Sequence, residues 1–210
     1  MHIQIFNSNQ VQILPLVKQF KKEFYLVGGT AIALYLGHRR SIDFDLFKLN
    51  PIKPKSILQT ISDFDYPFTV TRRVTEQLNV NINEVKFTFY QYPFTINAAE
   101  KLEDILRLPN LLDLAAMKAY ALGRRSKWKD YVDLYFILKD HFTISQISKR
   151  ATEIFGQLFS EKLFRAQLSY FDDIDYSEPV EYLVQPIPGD EIKDFLIDKA
   201  TDIFGELGLK

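Results

Sequence analysis

Residues 24–47 read FYLVGGTAIALYLGHRRSIDFDLF. A β-type run from Phe24 to Val27 ends in Gly28-Gly29-Thr30, and an apolar helical run follows. A basic knot, His38-Arg39-Arg40, leads through Ser41 into a second β-type run that carries Asp43 and Asp45. Successive side chains of a strand point to opposite faces, so the two aspartates share one face while Ile42, Phe44 and Leu46 share the other. Two neighbouring carboxylates repel each other. A hard cation such as Mg2+ removes the repulsion, because it takes oxygen ligands and commonly keeps a phosphate as partner. A tight glycine turn that opens a helix offers backbone N–H groups to an anion. A phosphate cradle beside metal-binding carboxylates points to phosphoryl or nucleotidyl transfer.

Neither half of this pattern is specific alone. Glycine turns after strands are common, and acids on an exposed strand face are too. Their combination is sharper. Twelve residues, Ala31 to Ile42, separate the turn from the Asp-x-Asp. One helix and one return turn fit that distance and bring turn and carboxylates to one end of a sheet. Thr30 is the expected N-cap of the helix.

Composition narrows the class. The 210 residues are 47% hydrophobic and 14% aromatic, enough for a sizeable core and too much for a disordered chain. With no cysteine there is no disulfide framework and no thiolate zinc site, and three histidines leave little for a transition metal. The first twenty residues lack the basic and apolar regions of a secretory signal, and no apolar run is long enough to span a bilayer, so a cytoplasmic protein without membrane contact is expected. The net charge of −1 hides an asymmetry: residues 170–210 carry eleven acids and three bases, the remainder sixteen acids and twenty-three bases. Two dense basic knots, at 38–40 and 124–129, suit a triphosphate or a nucleic-acid backbone, or are solvated loop charge.

The periodicity predicts helix over 10–23, strand over 24–27, helix over 31–36, strand over 42–47 and helix over 56–64, followed by strands at 68–74, 77–82 and 85–90. From about residue 100 the pattern turns helical, with helices over 111–122, closed by Gly123, from 126 or 127 to 140, and over 145–159, 160–169 and 189–206. The expectation is an α+β fold: residues 1–100 form a core with a short mixed sheet flanked by helices, and residues 101–210 a helical region that closes a cleft.

On the helix over 111–122, Lys118 interrupts an apolar stripe of Leu111, Leu114, Ala115 and Leu122. Either its stem covers core while its amine reaches water, or its ammonium serves a phosphate. Asp130 and Asp133, at i and i+3, can touch one neighbour; surface pairing with Arg124, Arg125 or Lys129 is the alternative.

The segments LVGGTAIALYLGHRRSIDFDLF (26–47) and LLDLAAMKAYALGRRSKWKDYVDLYFIL (111–138), with VKFTFYQYPF (85–94) and YFDDIDYSEP (170–179), resemble the AbiEii/AbiGii toxin family, part of the DNA polymerase β-type nucleotidyltransferase superfamily. The resemblance implies a nucleotidyltransferase core and an Mg2+-dependent enzyme that moves a nucleoside monophosphate from an NTP to an acceptor hydroxyl, with the tRNA 3′ end one such acceptor. It also implies a toxin of a toxin–antitoxin or abortive-infection (phage-defence) system that acts beside a separate antitoxin protein. Asp43 and Asp45 match the metal-binding pair, and Gly28, Gly29 and Thr30 the phosphate-side turn. Arg39, Arg40 and Ser41 lie beside that turn on the nucleotide side. Lys118 and Asp130 match a downstream catalytic motif and Lys129 a nucleotide contact. One position departs from the superfamily pattern: where a third carboxylate commonly stands on a later strand, the alternation Lys86-Thr88-Tyr90 offers Thr88, and Glu84 falls at a loop end. A degenerate NTP-binding or partner-binding module and a kinase-like phosphoryl transferase are the other readings of these residues.

Overall fold

The computed structural model describes residues 1–122 and 124–202, which form two compact units, Met1–Asn110 and Leu111–Lys210. The first unit contains helix α1 (Ser8–Val17), strand β1 (Tyr25–Val27), α2 (Gly28–Leu36), β2 (Phe44–Lys48), α3 (Pro54–Ser62), β3 (Phe68–Arg73), β4 (Gln77–Ile82), β5 (Val85–Gln91), β6 (Glu100–Leu102) and β7 (Leu106–Leu108). Its strands build one seven-stranded sheet in the order β3-β4-β5-β2-β1-β7-β6. The sheet is mixed: β2 runs antiparallel to β1 and parallel to β5, and β7 runs parallel to β1.

The two faces of the sheet differ in chemistry because each strand alternates. Phe44, Leu46, Leu78, Val80, Phe87 and Phe89 are all fully buried on one face. There Phe44 stacks on Phe87 at 5.2 Å, Phe6 reaches Phe44 at 5.7 Å, and Phe20 and Phe24 meet Phe89 edge-on at 4.9 and 5.4 Å. Offset and edge-to-face rings add to the area term of burial. The opposite face carries Asp45, Phe47, Asn79, Gln77, Thr88 and Tyr90, each partly exposed. Edge strand β3 is exposed along its whole length and is bulged between Val70 and Arg72.

Several sequence expectations are corrected here. Residues 100–108 are a β-hairpin and not helix, so the first unit ends at 110 and not at 100. Strands of three residues are too short to show a period. α1 starts earlier than expected because Asn7 and Gln10 form a capping box, and it gives way at Val17 to a 3-10 turn over Lys18–Phe20. Its buried residues are Gln10, Ile13, Leu16 and Val17, and Val11 is exposed. β2 begins at Phe44, so Asp43 immediately precedes the strand and is not part of it.

The second unit contains α4 (Leu111–Leu122), α5 (Trp128–Asp140), α6 (Ile144–Phe155), α7 (Glu161–Leu168) and α8 (Gly189–Thr201). α4 packs against α5, α6 and α7, and α5 against α8. A capping box of Thr143 and Gln146 opens α6, and Ser160 caps α7. Gly123 and the final turn expected over 203–206 lie outside the described residues.

Phe87 touches the aromatic cluster from its centre. Phe87→Ala is expected to cost about 3–5 kcal/mol, read as a lower urea midpoint at unchanged slope for the transition that reports the first unit.

Candidate active site

The first group of residues forms where β1 ends. Gly28 has φ +73°, a left-handed conformation that turns the chain from strand to helix within one residue. α2 therefore begins at Gly28, three residues before the expected start at Ala31. Its N-cap residue is Val27, which provides no side-chain cap. The first N–H groups of a helix have no partners within it, so this end can receive an anion.

Thr30 is not the N-cap. It is buried inside the first helical turn, and its hydroxyl hydrogen-bonds the carbonyl oxygen of Asp43 and, at 2.9 Å, the Ser41 hydroxyl. These bonds tie the entry of β2 to the helix that follows the glycine turn. Asp45 then pairs in register with Val27 on one side and Thr88 on the other. Its carboxylate lies so close to the Gly28 backbone that a Cβ there would fall 2.2 Å from Oδ2. A Cβ on Gly29 would fall 2.6 Å from Nη2 of Arg39 and 3.3 Å from the Ser41 hydroxyl. The buried Arg39 guanidinium thus stands against the glycine turn, and its Nη1 also donates to the Arg40 carbonyl at 2.9 Å.

Gly28, Gly29, Thr30, Arg39, Ser41, Asp43 and Asp45 are therefore neighbours. Nη1 of Arg40 donates to the Phe6 carbonyl at 3.3 Å. Glu84 sits in a two-residue left-handed turn with Asn83 and accepts from Asn9 at 3.1 Å, so it is not a third acid beside Asp45. Among the described residues no three or more His, Cys, Asp or Glu side chains gather into a metal site.

The second group lies within the helical unit. Lys118 is 3% exposed at its side chain, and its ammonium donates to Asp130 at 2.6 Å and contacts Asp133 at 2.9 Å. Asp130 and Asp133 are equally enclosed, and Arg125 closes the network with Nε 2.9 Å from Asp130. Lys118 thus does not snorkel: one helical turn of α5 supplies two carboxylates to a single ammonium from α4. Lys129 points elsewhere, to Glu178 at 3.3 Å, and Lys127 binds the same carboxylate. Lys127, by its hydrogen bond, and then Lys129 hold the Glu178 carboxyl below the usual carboxylate range.

The family described as nucleotidyl transferase AbiEii toxin, type IV TA system, matches residues 16–105 and 66–203. The chain belongs to this family. It is a nucleotidyltransferase toxin of a type IV toxin–antitoxin system. An uncharacterized protein of Aquifex aeolicus (strain VF5), aq_aa25, is 28% identical over 195 residues, covering 86% of this chain and 87% of that protein. Among solved structures, MenT4, the nucleotidyltransferase toxin Rv2826c of Mycobacterium tuberculosis H37Rv, shares the fold with a TM-score of 0.59 at 15% identity. That match covers 93% of this chain and 83% of MenT4. JHP933 of Helicobacter pylori gives a TM-score of 0.58 at 16% identity over 98% of this chain and 94% of its own. The antibiotic-resistance factor ANT(2'')-Ia gives 0.52 at 11% identity over 70% and 92%.

The fold of these AbiEii residues explains what sequence reasoning missed. Thr30 and Ser41 act as clasps on the carboxylate strand, a role that spacing does not reveal. Arg125 as partner of Asp130 was one of three basic candidates, and the helical turn at 124–125, which bonds both N–H groups to the Ala121 carbonyl, selects it.

Two substitutions test the two groups. Gly28→Ala should cost about 1–2 kcal/mol for the left-handed backbone and displace Asp45, visible as a shifted amide resonance for Asp45. Lys118→Met leaves two enclosed carboxylates facing each other, and a loss of about 3–5 kcal/mol is expected in thermal unfolding. Lys118→Met combined with Asp133→Asn should recover part of it.

Proposed function

We propose that the chain transfers a nucleoside monophosphate from an NTP to an acceptor hydroxyl, in the cytoplasm and with Mg2+, and that the tRNA 3′ end is one acceptor. The observation that supports this reading is the register of Val27 against Asp45, which sets the Asp45 carboxylate directly beside the glycine turn. Two carboxylates with substrate phosphate oxygens are a sufficient donor set for Mg2+, which keeps several waters and commonly takes only one or two protein ligands. Asp43 and Asp45 would hold the ion, which when bound supplies charge neutralisation on the triphosphate.

The protein's own groups do the positioning. The N–H groups at Gly28 to Thr30 cradle the β- and γ-phosphates on the end of α2, with the Arg39 guanidinium adding positive charge at the turn. The acceptor oxygen forms its bond to the α-phosphorus while the bond to the β-phosphate oxygen breaks and pyrophosphate leaves in line. Ser41 fixes the carboxylate strand through Thr30. Lys118 and Asp130 as catalytic residues, and Arg40 and Lys129 as phosphate contacts, are supported by family likeness, since the contacts seen are with one another, with residues 4–6 and with Glu178. A separate antitoxin protein would restrain the activity, in a type IV system or one of abortive infection.

The replacement of a third acid by Thr88 favours a second reading, a module that binds NTP without turning it over. One assay separates them. With α-labelled NTP and total cellular RNA, the wild type is expected to label RNA, and Asp43→Ala with Asp45→Ala to reduce labelling by about 10³-fold or more. Equal transfer by the double variant would overturn the metal assignment. No transfer by the wild type with any NTP would leave the binding module. A parallel reaction with γ-labelled NTP completes the set: transfer of the γ-label without the α-label would make it a kinase.

A further inference from the structure

Beyond the carboxylates, where β1 begins and β2 ends, lies an open cavity of about 440 Å³ that the site described above does not use. Tyr25, Arg107, Lys22, Asn50 and Asn97 line it, together with Lys48 and Glu23, which pair with each other at 2.5 Å. Arg107 and Lys22 are exposed cations with no carboxylate partner among the described residues. Tyr25 is nine-tenths buried, and its hydroxyl has no hydrogen-bond partner among the described residues. Burial pushes its phenol well above the usual range, so it remains a neutral donor.

Strand register fixes where this cavity lies. Tyr25 pairs with Phe47 on one side and Arg107 on the other, and Arg107 pairs with Lys101. Phe47 pairs with Tyr90. Directly paired residues share a face, so Lys101, Arg107, Tyr25, Phe47 and Tyr90 form one row across the sheet. The row lies two residues, about 7 Å, from the row of Val27, Asp45 and Thr88. It lies on the side away from Gly28, because β1 runs from Tyr25 through Val27 into the turn.

We propose that this cavity and its row bind the single-stranded end of a nucleic-acid acceptor, the nucleotides just before the reacting hydroxyl. The inference rests on the transfer reading for its polarity. In an in-line displacement the entering oxygen arrives opposite the leaving pyrophosphate. The glycine turn takes the leaving side, so the acceptor enters from the Tyr25 side. Cations spaced along the row suit successive phosphates. Asn50 and Asn97 offer amides to base edges, and the partly exposed rings of Phe47 and Tyr90 offer faces or edges for stacking. A cationic small-molecule acceptor would meet unpaired positive charge here.

The test is equilibrium binding of a short fluorescent single-stranded oligoribonucleotide, followed by anisotropy at several salt concentrations without NTP or metal. Lys22→Gln with Arg107→Gln is expected to weaken binding by about tenfold and to lower the slope of log affinity against log salt by roughly 1.4, or 0.7 for each phosphate no longer neutralised. Arg107→Lys should retain most of the slope. Asp43→Ala with Asp45→Ala removes negative charge from the neighbouring row and should bind the oligonucleotide at least as tightly as the wild type, so the measurement does not depend on transfer. Unchanged affinity and slope in the Gln pair, with unfolding temperature also unchanged, would overturn the proposal even if the transfer assay succeeds. So would stronger binding of an acidic peptide or of duplex RNA than of the single strand. Loss of oligonucleotide binding in the Gln pair would uphold the subsite even if the Asp variants show that the transfer reading is wrong.

Discussion

The close approach of the Asp45 carboxylate to the backbone of Gly28 is the contact on which the site depends. Only a residue without a side chain leaves room for that carboxylate, and only a residue that tolerates a positive φ lets β1 end and α2 begin at the same point. The antiparallel register of β1 with β2 then follows from the position of the turn, and β5 adds in parallel beside β2. An apolar face and a polar face result from the same alternation. The ring cluster of Phe44, Phe87 and Phe89 packs one face of the strands, while Asp45, Thr88 and Tyr90 on the other face stay partly exposed.

The helical unit solves a different problem. It encloses an ammonium and two carboxylates together, which is costly unless each finds a partner. Lys118 satisfies Asp130 and Asp133, and the half-exposed Arg125 brings positive and negative charges in this group to equality. Such a group contributes less to net stability than an apolar replacement could.

Strong local signals carried most of the sequence reading. Gly-Gly after a β-run and Asp-x-Asp after a helix have fixed geometric meaning, so the order of strand, helix and strand could be read directly, whereas the start of β2 at Phe44, which leaves Asp43 outside the strand, could not. The helices of the second unit were legible from their apolar periodicity, whereas their caps Thr143 and Ser160 emerge only in the structure. The hairpin at 100–108 was not, because three-residue strands show no period and gain their identity only from pairing with β1. The hydroxyl of Thr30 was assigned to the wrong partner since an N-cap and an interior clasp look alike in one dimension. Lys118 was ambiguous because a snorkelling lysine and an enclosed one occupy the same position on a helical wheel; only the approach of α5 decides between them.

The bulge between Val70 and Arg72 has a consequence for the behaviour of the chain in a crowded solution. β3 stands at the sheet's rim with both faces in water, and a straight strand of Phe, Thr and Val in that place would template the addition of a strand from another copy. The extra residue twists the rim locally, and the two arginines that follow bring like charges together if two rims meet. The sheet is thereby closed to growth at that end without a helix to cover it.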